Sequence, residues 1–186
     1  MTTEQLEPEL MANFNEVEKR AEATLKEAGV FEHPVNPIAV ANALGYKVYA
    51  VKFRDGSFSG RMLLKNGDVR IDVNAYDPPN RRRFTIAHEI GHALMHTEGY
   101  TNLEIPDRVN ENAIARQELV LSRAASHDGP RPIIEAQADR FAAALLMPRA
   151  WIESSFEMEK DVSRLAKEYG VSEAAMDIRL KQLHLV

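Results

Sequence analysis

Residues His88-Glu89-Ile90-Gly91-His92 constrain this chain more than any other stretch. Two imidazoles four positions apart share a face only on a helix, so the backbone must be helical there for both to reach one point. The flanking residues Phe84, Ile86, Ala87, Ile90, Ala93, Leu94 and Met95 supply an apolar body that would bury such a helix. The chain has no cysteine. That excludes disulfide stapling, thiolate metal sites and a cysteine nucleophile, so any transition metal must be held by His, Asp or Glu. Glu89 lies one step round from His88 and can reach a water in the open position of a metal held by the two histidines. A zinc ion would lower that water's pKa, and the carboxylate would take its proton. Gly91 costs a helix about 1 kcal/mol, which is tolerable if another group approaches closely.

A third ligand is needed. At a spacing used by some zinc proteases it would be a histidine six residues after His92, but that position is Glu98. The better candidate is Glu135, followed one helical turn later by Asp139. Glu135 completes a two-His, one-Glu set. Asp139 can accept the free N–H of a ligating histidine and fix its tautomer. The alanines at 136, 138, 142 and 143 would let this helix approach the first. Blander readings stand beside these: half-buried histidines bonded to core partners, a solvent-facing Glu135, and an Asp139 paired with an arginine.

The rest of the chain supports an α+β fold. Helices are expected over Ala12–Ala28, over Pro37–Leu44, from Asp77 to about His96, and over Ile133–Leu146. A helix through Phe156 follows Pro148, and two short ones span Asp161–Gly170 and Ser172–Leu183. Residues 1–11 are expected to be a frayed acidic end. Tyr46–Phe53 alternates like a strand, and Phe58–Lys65 and Asp68–Asn74 flank Asn66-Gly67, a two-residue hairpin signal. Residues 97–132 are broken by Pro106, Gly129, Pro130 and Pro132, and Ile114–Leu121 reads as either an edge strand or a helix. The expected division is an N-terminal helical extension (1–34), a metal-binding domain (35–156) and a C-terminal helix pair (157–186). With 23 basic and 28 acidic residues the formal charge is −5, which argues against coating nucleic acid. The first thirty residues are Glu-rich rather than signal-like, and no run of about twenty apolar residues occurs. A cytoplasmic, membrane-free protein is expected.

The runs RRFTIAHEIGHALMH (Arg82–His96) and EAQADRFAAALLMP (Glu135–Pro148), with the tail DVSRLAKEYGVSEAAMDIRLKQL (Asp161–Leu183), resemble the ImmA/IrrE family of bacterial and phage metallopeptidases. The resemblance covers most of residues 35–186. It implies a zincin-like, gluzincin-type core in which a short antiparallel sheet packs on the HEXXH helix. It makes His88, His92 and Glu135 the ligands of one Zn2+ and Glu89 the catalytic base. It also implies an anti-repressor role in transcription or stress response, the substrate being a helix-turn-helix repressor. Two departures stand out. The 43 positions from His92 to Glu135 are long for the family, which suggests an insertion over the cleft. The N-terminal DNA-binding module fused to some relatives is also missing, so the target would be met as a separate protein.

Several further residues carry open readings. His96, a turn beyond His92, either supports the site or is an ordinary core or surface histidine. His127 and Tyr100 are candidate stabilisers of a developing oxyanion, against the default of solvated side chains. Arg81-Arg82-Arg83 either meets a carboxylate or phosphate or forms a solvated face. The tail pair, with Ala166, Tyr169, Val171, Ala175 and Leu180 as its core and Ser172 as a cap, reads like a helix-turn-helix. Its basic residues (Arg164, Lys167, Arg179, Lys181) equal its acidic ones, which favours packing or partner docking over DNA binding. The competing function is a non-proteolytic regulator or antitoxin-type binding protein with a structural or sensory metal, which acts either by sequestering a regulator or by contacting DNA through this tail. A His/His/Glu site also accepts manganese, cobalt or iron.

Overall fold

The computed structural model describes residues 3–53, 58–108 and 131–186. Among them are seven helices and four strands. They are α1 (Thr3–Glu27), α2 (Pro37–Ala43), β1 (Lys47–Val51), β2 (Phe58–Lys65), β3 (Asp68–Asn74), α3 (Pro79–Met95), β4 (Asn102–Arg108), α4 (Arg131–Leu146), α5 (Arg149–Met158), α6 (Val162–Tyr169) and α7 (Glu173–Gln182). The fold is α+β, as expected. Asn66 and Gly67 both take positive φ (51° and 87°), the requirement of a tight hairpin turn, so β2 and β3 have the bounds the sequence indicated. The helix starts also follow local chemistry. Asn36 caps α2 ahead of Pro37, Asp161 caps α6 through the N–H groups of Ser163 and Arg164, and Ser172 caps α7 through that of Ala175.

The sheet has the order β1-β3-β2-β4. β2 pairs antiparallel with both β3 and β4, but β1 pairs parallel with β3, so the sheet is mixed rather than wholly antiparallel. The hairpin turns back between β1 and its sequence successor, which puts β3 next to β1. β4 was not anticipated, because Pro106 interrupts its pattern. An edge strand tolerates proline, since only one of its sides needs ladder donors. Ile114–Leu121 lies outside the described residues. At the N-terminus α1 begins at Thr3, where a frayed end was expected.

Met62, Leu64, Val69, Ile71, Val73 and Ile105 form the sheet's buried face. α3 packs on that face through Ile86 and Ile90, α4 packs on α3, and α1 packs on α4 through Val17, Ala21 and Leu25. Ala138, Ala142 and Ala143 are buried on α4 and allow the close approach. Gly91 makes room for α4, because a Cβ there would stand 3.1–3.2 Å from Phe141. The helix-propensity cost of about 1 kcal/mol is offset by burying a Phe side chain, worth about 1.5–3 kcal/mol.

The tail is bolted to the start of α3. Arg83 Nε donates to the Gly170 carbonyl (3.0 Å) and its NH2 group donates to the Val35 carbonyl (2.7 Å), while Asn80 donates to the Val171 carbonyl (3.1 Å). Arg83 therefore ties chain segments together, and burial lowers its pKa. Arg179, counted above among the tail's basic groups, is fully buried and donates to Glu18 (2.8 Å) and to the Met147 carbonyl (3.0 Å). It is withdrawn from any DNA-reading surface. No helix among the described residues is long and apolar enough to cross a membrane.

Candidate metal centre

α3 and α4 bring three donors together. His88 Nε2 and His92 Nε2 lie 3.0 Å apart. Glu135 Oε2 is 3.3 Å from His88 Nε2, and Glu135 Oε1 is 3.6 Å from His92 Nε2. A tetrahedral ion with bonds of about 2.0–2.1 Å separates its ligand atoms by about 3.3 Å, the middle of this range. Among the described residues, His88, His92 and Glu135 form the one group able to hold a metal ion.

The outer nitrogens of the histidines are engaged. His88 Nδ1 lies 2.8 Å from Asp139 Oδ1. A carboxylate oxygen accepts, so Nδ1 carries the proton and Nε2 presents its lone pair. His92 Nδ1 lies 2.9 Å from His96 Nδ1, and His96 Nε2 lies 2.9 Å from Gln137 Oε1. The amide oxygen accepts from His96 Nε2–H, His96 Nδ1 then accepts from His92 Nδ1–H, and His92 Nε2 is also left as a lone pair. In the tautomers that Asp139 and His96 favour, two nitrogen lone pairs and a carboxylate face one another at these distances, an arrangement that a cation between them would stabilise. The donor set thus fits a divalent metal.

Burial pushes His92 down to about 4, which keeps it neutral and able to ligate at neutral pH. Burial also lowers His96. Burial alone would raise Glu135, but the His88 and His92 rings outweigh this by hydrogen bonding when, with no ion between them, their Nε2 atoms carry protons, and so hold its carboxyl well below the usual range. Glu89 is wholly buried on α3 against β2. A Cβ on Gly60 would stand 3.1 Å from its Oε1.

His88, His92, Glu135, Asp139 and His96 converge, and Glu89 sits on the same helix beside them. Tyr100 is exposed in the turn after α3, and its side chain makes none of the hydrogen bonds that surround the donors. His127 lies outside the described residues. Sequence reasoning missed Gln137. Its position, two residues from both Glu135 and Asp139, gave no spacing signal, and its role depends on how α1 lies against α4.

Residues 41–181 match the model of a peptidase family described as the IrrE N-terminal-like domain. No curated protein matches the sequence significantly. Among solved structures, a Mycobacterium tuberculosis transcriptional regulator is similar, with a TM-score of 0.61 and 18% identity over 97% of this chain and 52% of that one. The chain thus spans about half the length of that regulator, and the likeness is one of fold.

Proposed function

Because this chain belongs to the peptidase family of the IrrE N-terminal-like domain, we propose that it is a zinc-dependent endopeptidase that cleaves or inactivates a helix-turn-helix repressor in the cytoplasm. The observation that carries the reading is the convergence of His88 Nε2, His92 Nε2 and the Glu135 carboxylate, with both histidines turned by Asp139 and His96 so that lone pairs face inward. These three residues would hold the ion. When bound, zinc supplies Lewis-acid polarisation of a carbonyl and makes an adjacent water more acidic. Glu89 takes the proton of the attacking water as its oxygen bonds to the carbonyl carbon. It then delivers that proton to the amide nitrogen as the C–N bond breaks. Asp139 and His96 hold the imidazoles in the ligating tautomer.

The regulatory part of the reading rests on the repressor-directed role that the sequence resemblance implies, and the structural neighbour bears the description of a transcriptional regulator. The test is Glu89→Gln in the full chain, incubated with Zn2+ and candidate repressors. The variant should bind zinc as the wild type does and lose cleavage by about 10²–10⁴-fold. Cleavage at the wild-type rate would refute the peptidase assignment. Regulation in cells that survives this substitution would point instead to a non-proteolytic binding protein.

A further inference from the structure

The hydrogen bonds behind His92 run further than its own helix. Gln137 Nε2 donates to Asn13 Oδ1 at 2.6 Å, which turns the amide oxygen of Gln137 toward His96 Nε2 at 2.9 Å. His96 Nδ1 in turn lies 2.9 Å from His92 Nδ1, and with its Nε2–H given to Gln137 it is placed to accept from His92 Nδ1–H. Asn13 belongs to α1, ahead of residue 41, where the family match begins. We propose that Asn13 and Gln137 are positioning residues: by fixing the direction of this relay they hold His92 in the tautomer whose metal-facing nitrogen is a lone pair, which makes α1 part of the metal centre. The inference rests on the reading that His88, His92 and Glu135 hold zinc.

The direction of the relay is what matters. With the Gln137 amide reversed, its NH2 would donate to His96 Nε2 and His96 Nδ1–H would donate to His92 Nδ1. The proton would then sit on His92 Nε2, where the ion must bind. An amide carries both functions, and here the Gln137 NH2 is engaged by the Asn13 oxygen, which leaves the Gln137 oxygen to accept from His96 Nε2. Hydrogen bonds behind ligands commonly change metal affinity by about 10–100-fold when removed, and this relay belongs to that class.

The test uses the full chain and Zn2+ alone. Affinity is read by competition with a chromophoric chelator, imidazole tautomers by 15N NMR, and stability of the metal-free protein by melting. Gln137→Leu removes the acceptor and should weaken zinc binding about tenfold, with the His92 nitrogen shifts moving toward a mixture of tautomers. Gln137→Glu can only accept, so it should restore wild-type affinity and a single tautomer. A purely structural link between α1 and α4 would lower the melting point without moving the tautomer signal. Asn13→Leu, at an exposed position, gives the same readout should Gln137→Leu fail to fold. Wild-type affinity in the leucine variants, or a Gln137→Glu protein as weak as Gln137→Leu, overturns the relay alone. A wild-type protein that binds zinc no better than His88→Ala overturns the relay together with the metal reading beneath it.

Discussion

Replacing Gly60 by alanine puts a methyl group where β2 meets the helix carrying Glu89. The new Cβ would lie 2.4 Å from Thr85 Cγ2, 3.1 Å from the Asp72 carbonyl oxygen and 3.1 Å from Glu89 Oε1. Apolar carbons rest at about 3.5–4.0 Å, so the methyl contact is short by more than 1 Å. Little can yield. Thr85 is buried on α3, and β3 is pinned because the fully buried Asp72 side chain accepts from Arg61 (2.9 Å) and Arg70 (2.6 Å). Overpacking of this kind costs about 1–3 kcal/mol, and the rigid surroundings argue for about 2–3. For a chain of this length, each kcal/mol lowers Tm by about 2–4 °C. Gly60→Ala should therefore melt about 4–12 °C below wild type and should lose peptidase rate as Glu89 is displaced. Thr85→Ser removes the offending methyl. It should cost about 0.8 kcal/mol by itself yet recover about 1–2 kcal/mol in the Gly60→Ala background, a coupling that a double-mutant cycle in urea measures. A Gly60→Ala protein that melts with the wild type, or one that Thr85→Ser leaves unrescued, refutes the argument.

Other consequences follow from the same geometry. Asp139→Ala should weaken zinc binding about 10–100-fold by releasing His88 Nδ1, and a chelator titration showing unchanged affinity counts against it. Arg179→Ala removes one of three guanidiniums around the buried Glu18, leaving Arg140 and Arg149. The expected loss is about 3 kcal/mol, the low end for breaking a buried pair, and a loss under about 1 in urea unfolding contradicts it. For the metal-free protein, burial holds His92 at about 4 in the folded chain, below the 6.5 of a free imidazole. Unfolded chains then bind the proton first, so stability is full above pH 6.5 and falls as pH drops toward 4, by about 3 kcal/mol from this group. The slope should flatten in His92→Gln, and an equal slope in both proteins rules out His92 as the cause.

Much of this arrangement is legible in the sequence, for identifiable reasons. The spacing of His88 and His92 fixes a helix face, and Asn66-Gly67 fixes a turn, because each depends on backbone geometry a few residues long. Glu135 and Asp139 could be picked because a carboxylate and its partner one turn later repeat that spacing. Strand order could not be read, since alternation in Tyr46–Phe53 marks a strand but not its neighbour. β1 pairs with β3 only because the hairpin folds back beside it. Arg83 and Arg179 looked like surface charge, and only tertiary packing shows the carbonyls and the Glu18 that hold them. Gln137 was invisible for the same reason, because its partner Asn13 is 124 residues away along the chain.

The central claim is most directly tested by zinc content, measured by elemental mass spectrometry after saturation with Zn2+ and desalting, in wild type and in Glu135→Ala. Circular dichroism confirms that both are folded. The account predicts one ion per wild-type chain and almost none in the variant. Equal zinc in the two proteins, or none in either, would contradict it.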